Sequence, residues 1–132
     1  TGRIGDWGSH KVEHELSASF DIAHGAGLAI VFPAWMKHAL RQYPAKLAQF
    51  ATDIFDVPAS FGDETAVALE GIRRLEAFYV SLGMPTRLSD VGLANADFAA
   101  LAARALPTEQ SAVGEYIKLY RQDFIDIYTL AK

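Results

Sequence analysis

Gly5-Asp6-Trp7-Gly8-Ser9-His10-Lys11-Val12-Glu13-His14-Glu15-Leu16-Ser17-Ala18-Ser19-Phe20-Asp21-Ile22-Ala23-His24-Gly25 holds three of the four histidines in a chain of 132 residues. His10 and His14 are four residues apart. On an α-helix that spacing puts them one turn apart on one face, because each residue advances by about 100°. On the same helical wheel His10, His14 and Ser17 form a narrow polar stripe, and Val12, Leu16 and Phe20 a separate apolar one. The pattern breaks at Asp21-Ile22, and His24 follows beside Gly25. The spacing predicts a helix presenting two imidazoles, with a turn bringing a third toward them, as part of a metal and catalytic site. Paired histidines are also common on an ordinary polar helix face. Spacing alone leaves both environments open for them, solvent or a cleft.

Outward from this stretch the pattern is helical throughout. The first helix is expected from Asp6, a good N-cap, to Phe20. A second starts near His24-Gly25 and runs through Leu28, Ile30, Val31, Trp35 and Met36 to Leu40; it is apolar nearly all round and so should be central and buried. Pro33 within it either kinks or ends it. Pro44 opens a third helix, Ala45 to Ile54, which Val57-Pro58 closes. Asp63 caps a long amphipathic helix with Val67, Ile72, Leu75, Phe78, Tyr79 and Leu82 at helical spacing, and Gly83 ends it. Met84 to Gly92 reads as a loop. A further helix is expected from Asn95, as cap, to Leu106, stopped by Pro107; Thr108 to Glu115 reads as a connection and Gln122 to Ala131 as the last helix. No segment sustains period-two alternation, and there is no Gly-x-Gly-x-x-Gly or Walker loop to cradle phosphate. The expected fold class is therefore all-α, a multi-helix, bundle-like domain covering residues 1–132.

Bulk properties narrow the partners. With 51% hydrophobic and 21% charged residues the chain suits one soluble domain with a real core. A net charge of −4 and a pI near 5.5 argue against nucleic acid, since no basic patch is available to neutralise phosphates. There is no cysteine, which removes disulfides and thiolate metal ligands and fits a reducing cytoplasm. The longest apolar run, Ala26 to Met36, is too short to span a bilayer, so neither a membrane span nor a secretory leader is expected. The motif opens at residue 6 of a chain that starts at Thr1, so a domain of something longer is expected.

Three runs carry a likeness to a known family: Asp6-Trp7-Gly8-Ser9-His10; His14-Glu15-Leu16-Ser17-Ala18; and Asp21-Ile22-Ala23-His24-Gly25 with Leu28-Ala29-Ile30 and Pro33. Leu82 to Asp90 and Asp123 to Tyr128 add to it, so it extends over nearly the whole chain. Together they resemble the iron-containing alcohol dehydrogenase family, and within it the butanol dehydrogenase and aldehyde reductase branch. A glycerol or maleylacetate type fits His14-Glu15-Leu16-Ser17-Ala18 less well.

The resemblance implies the helical, dehydroquinate synthase-like C-terminal domain of a two-domain enzyme, with an N-terminal α/β domain that binds NAD(P)H absent from this chain. It implies His10 and His24 as two ligands of a divalent metal, Fe2+ or Zn2+, and His14 as the histidine that moves a proton near the nicotinamide. The family's other two ligands, an aspartate and a histidine, would lie upstream of Thr1. Two imidazoles alone hold such a metal weakly, so the chain by itself should be inactive. The implied reaction is hydride transfer between NAD(P)H and a small aldehyde or primary alcohol, with room for a homodimer. The contrasting expectation is a non-catalytic helical interaction domain with incidental histidines. Among other residues, His38 beside Lys37 and Arg41 reads as surface, and Arg73-Arg74 as a solvated pair. Glu13 and Glu15 read as solvated helix charges more readily than as supports behind a ligand. Trp7 and Phe20 either line a pocket or pack.

Overall fold

The computed structural model describes residues 10–106 and 119–132, and among them all regular structure is helical. Six α-helices follow one another: α1 His10–Phe20, α2 His24–Leu40, α3 Pro44–Phe55, α4 Glu64–Ser81, α5 Phe98–Ala105 and α6 Arg121–Leu130. Short 3-10 turns stand at Ala59–Phe61 and Leu88–Val91. The expected helix start at Asp6 and the connection Thr108 to Glu115 lie outside the described residues.

The helix that is apolar on every side is the central one. Ala29, Ile30, Val31, Ala34, Trp35, Met36 and Ala39 of α2 are all buried, and α1, α3, α4 and α6 each pack against it. Full burial of a large apolar side chain contributes about 1.5–3 kcal/mol, so α2 supplies much of the driving force. Pro33 does not end it: the helix continues through the proline to Leu40, because contacts on all sides hold the turns on either flank. α1 and α6 bring Val12, Leu16, Phe124, Ile127 and Tyr128 into the same core. Phe20, expected on the apolar stripe of α1, stays 37% exposed at the helix end.

Local chemistry explains the boundaries. α1 stops where Asp21 turns left-handed (φ 55°), a conformation that Asp tolerates better than most residues. Pro44 takes the first turn of α3, and the Asp63 carboxylate caps α4 by accepting from the Ala66 N–H at 2.8 Å. The fifth helix starts two residues later than Asn95 predicts: the cap is Asp97, which accepts from the Ala100 N–H at 3.0 Å. Both residue types cap well, and the ionised carboxylate gains in addition from the helix dipole. Within the loop after α4, Leu88 is wholly buried and its N–H bonds the Ala131 carbonyl at 2.7 Å, pinning the loop to the end of α6.

Arg73 and Arg74 are not simply solvated. Both donate to Glu70, and Arg74 Nη1 also donates to the Phe55 carbonyl at 2.6 Å, closing the C-terminus of α3. These hydrogen bonds, chiefly from Arg73, hold the Glu70 carboxyl at about 2, against an ordinary 4.5. α3 and α4 also meet closely at Gly71, where a Cβ would stand 3.0 Å from Ala51 Cα and closer still to its Cβ.

Two outcomes follow from this pairing of α3 with α4. Gly71→Ala should lower stability by about 1–3 kcal/mol in urea unfolding, overpacking the contact despite alanine's better helix propensity. A carboxyl with a depressed folded pKa stabilises above its unfolded value. The destabilisation caused by Glu70→Gln should therefore stay constant above about pH 5 and shrink as the pH falls from 4.5 toward 2.

Candidate functional site

The three histidines of the opening motif sit on two adjoining helices. His10 is the first residue of α1 and His24 the first of α2; their side chains lie outside the described residues. His14 is described: it stands one turn along α1 from His10 and is exposed. Trp7 lies outside the described residues.

The two helices meet at a point that their sequences specify. Glu13 is fully buried, 0% exposed, rather than solvated. Its carboxylate accepts from the Ser17 hydroxyl one turn away and lies against Gly27 of α2. A Cβ at Gly27 would come within 2.9 Å of Glu13 Cγ and Cδ, and closer still to Oε1, so the missing side chain makes the room. His10 stands three residues before Glu13 and His24 three before Gly27. On a helix an offset of three keeps both residues on one face, so both histidines hold register positions on the faces that meet. Glu15, half-buried, lies on the other flank of His14.

The donor chemistry fits a borderline divalent metal such as iron or zinc, for which neutral imidazole is a common ligand. It is incomplete, because a catalytic metal takes at least three protein ligands. The seam is also closed on one side. The Tyr128 hydroxyl of α6 donates to the Val12 carbonyl at 2.7 Å, and burial, followed by the negative charges of Glu15 and Glu13, raises its pKa well above the usual tyrosine value. Tyr128 thus acts as a neutral donor that fixes α1 against α6.

His38 is not a surface residue. Its side chain is 11% exposed, and Nε2 lies 2.9 Å from Asp123 Oδ1 across α2 and α6. Among the described residues, His38, Asp123 and Asp126 are the one group that brings three such donors within 4.8 Å of one another. The geometry is that of a tether rather than a metal site. Asp123 Oδ2 already accepts from the Tyr120 N–H at 2.7 Å, and Asp126 Oδ1 from the Gln122 amide at 2.9 Å. His38 Nδ1 is buried with no hydrogen-bond partner among the described residues. A metal on Nε2 would force the ring proton onto that site, where nothing accepts it.

Sequence reasoning thus missed Glu13 and His38 for related reasons. Each is a polar residue on a mixed face, and what buries it comes from another helix. The available signals were Gly27 in the small-residue start of α2 and the Asp123-x-x-Asp126 pair at helical spacing.

Residues 1–131 match the family described as "Fe-containing alcohol dehydrogenase family, C-terminal", and the chain belongs to that family. Among curated relatives, Probable NADH-dependent butanol dehydrogenase 1 of Bacillus subtilis is 40% identical over 126 residues, covering 96% of this chain and 32% of that protein. The NADPH-dependent aldehyde reductase YqhD of Escherichia coli is 34% identical over 110 residues, covering 83% and 28%. Among solved structures, NADH-dependent butanol dehydrogenase A from Thermotoga maritima superposes with a TM-score of 0.80 at 37% identity, covering 95% of this chain and 32% of that one. The chain thus spans about a third of the length of the relatives it matches. No helix among the described residues is long and apolar enough to cross a membrane.

Asp123→Ala removes both the α6 cap and the His38 tether and should cost about 2–3 kcal/mol in chemical unfolding, whereas Asp126→Ala should cost less than about 0.5 kcal/mol.

Proposed function

We propose that this chain is the metal-bearing helical part of an NAD(P)-linked alcohol dehydrogenase or aldehyde reductase that interconverts small aldehydes and primary alcohols. The observation that carries this reading is the seam between α1 and α2, whose first residues are His10 and His24 and which close on each other at Glu13 and Gly27. The relatives named as NADH-dependent butanol dehydrogenases and an NADPH-dependent aldehyde reductase support the reaction class.

On this reading His10 and His24 hold an Fe2+ or Zn2+ ion, with the remaining ligands supplied from outside this chain. Bound there, the cation supplies Lewis-acid stabilisation of the substrate oxygen, and a nicotinamide held mainly by a separate nucleotide-binding domain supplies the hydride. His14, one turn beyond His10, exposed and free of the packing that holds Glu13, moves the proton to or from that oxygen through an imidazole nitrogen. The apolar body of α2 behind the seam keeps water from the inner side. The chain alone should not turn over. A soluble cytoplasmic enzyme, with a homodimer as its assembly and neither nucleic acid nor membrane as partner, completes the reading.

Metal content and NAD(P)H oxidation with butyraldehyde, measured on the full-length polypeptide, test it. His10→Ala and His24→Ala should each lose the metal and the turnover. His14→Ala should keep the metal while kcat falls by about 10²-fold. Metal and turnover unaffected by either ligand variant would leave a helical interaction domain with incidental histidines.

A further inference from the structure

A fully buried carboxylate is a costly choice for the seam between two helices. Taking an ionised group out of water costs several kcal/mol unless hydrogen bonds compensate, and an apolar side chain of similar volume often packs there at least as stably. Yet Glu13 is 0% exposed, with Val12 and Leu16, also wholly buried, on neighbouring positions of α1. Two features are built around it. Ser17, one turn on, donates its hydroxyl to Oε1, and Gly27 of α2 lacks the Cβ that would collide with the carboxylate. Glycine in a helix interior sacrifices about 1 kcal/mol relative to alanine, so the close approach is also maintained against local preference.

This arrangement adjoins both helix starts. Counting back three residues from Glu13 reaches His10, and three back from Gly27 reaches His24. The contact therefore sets how far apart, and in what rotation, the first turns of α1 and α2 stand. A metal site tolerates errors of only about 0.5 Å in ligand placement, and partners behind the ligands typically govern about 10–100-fold in affinity.

We propose that Glu13, seated in the space left by Gly27 and fixed by Ser17, is a positioning residue that holds the His10 and His24 ends of α1 and α2 in the register needed to share one divalent metal. This rests on His10 and His24 being ligands. Glu13 itself touches neither substrate nor reacting atoms on this proposal; it acts through the spacing of the two helices.

The test uses the full-length polypeptide stripped of metal, with Zn2+ as the probe. The Zn2+ dissociation constant is measured by chelator competition, and the melting temperature of the metal-free protein is measured beside it. Glu13→Asp draws the carboxylate back from Gly27 by one methylene and should leave metal-free melting within a few degrees of the parent while weakening Zn2+ binding at least about tenfold. Glu13→Gln, which keeps the volume and an acceptor for Ser17, should bind Zn2+ as the parent does. Gly27→Ala should weaken Zn2+ binding as much. The double variant Glu13→Ala with Gly27→Ala should melt higher than Gly27→Ala alone, since room is restored, without recovering Zn2+ affinity. If aspartate at this position prevents folding, Glu13→Ala carries the same comparison. Wild-type Zn2+ affinity in the folded Glu13→Asp or Glu13→Ala variant, or a loss no larger than the drop in melting temperature explains, overturns the proposal. His10→Ala, run in parallel, separates two failures. If it too retains Zn2+, the ligand assignment is wrong; if it loses Zn2+ while Glu13→Asp does not, only the positioning role falls.

Discussion

The rest of the structure depends on the burial of α2. A helix that is apolar all round has no face to give to water, so it is stable only when neighbours cover it on several sides. α1, α3, α4 and α6 do so, and the largest buried side chain in the core, Trp35, lies near its middle. That enclosure explains why Pro33 is accommodated within the helix. It also explains why the first turn of α2 is different: Gly25 is exposed and Gly27 is small, so the helix changes there from a core element into one that another backbone can approach.

Once the apolar core has set the packing, a small number of polar contacts fix its register. The Tyr128 hydroxyl joins α6 to α1, His38 and Asp123 join α2 to α6, Arg74 joins α4 to the end of α3, and the Leu88 N–H joins the loop after α4 to the end of α6. Each runs between residues far apart in sequence. Each satisfies a group that would otherwise be left wanting a partner at a helix end or in the interior, where an unmade hydrogen bond costs about 1–3 kcal/mol. The buried Glu13 differs in kind: its hydrogen bond to Ser17 is local to α1, and it fixes α1 against α2 by filling the space that Gly27 leaves beside the candidate metal-binding histidines.

Seen this way, the division of labour in the proposed enzyme is physical. The chain is about a third as long as its relatives, and it brings two imidazoles and one exposed histidine on a rigid helical frame. Rigid elements suit ligands that must be held closely, whereas an exposed His14 suits a group that exchanges protons with its surroundings. Burial at Glu13 and exposure at His14, adjacent residues of one helix, follow from the rotation of about 100° between them.

Much of this was legible in the sequence, because helices are specified locally. The periodicity of apolar residues, the Asp63 cap, Pro44 at a first turn, the Gly83 stop and the all-round apolar character of residues 24–40 identify the elements and name the central one, and the spacing of His10, His14 and His24 marks the candidate site. The resemblance carried by that motif supplied the family, which spacing alone did not. What the sequence could not show is which polar residues turn inward. Glu13, His38 and Arg74 look like surface charges when each is read against its own helix, and Asn95 looks as good a cap as Asp97. Their roles depend on partners contributed by other helices, Gly27 beside Glu13, Asp123 opposite His38 and the Phe55 carbonyl before Arg74, and those partners meet only when the apolar faces have packed. Local pattern determines what a segment becomes; the desolvation of a polar group is decided by what the rest of the chain places against it.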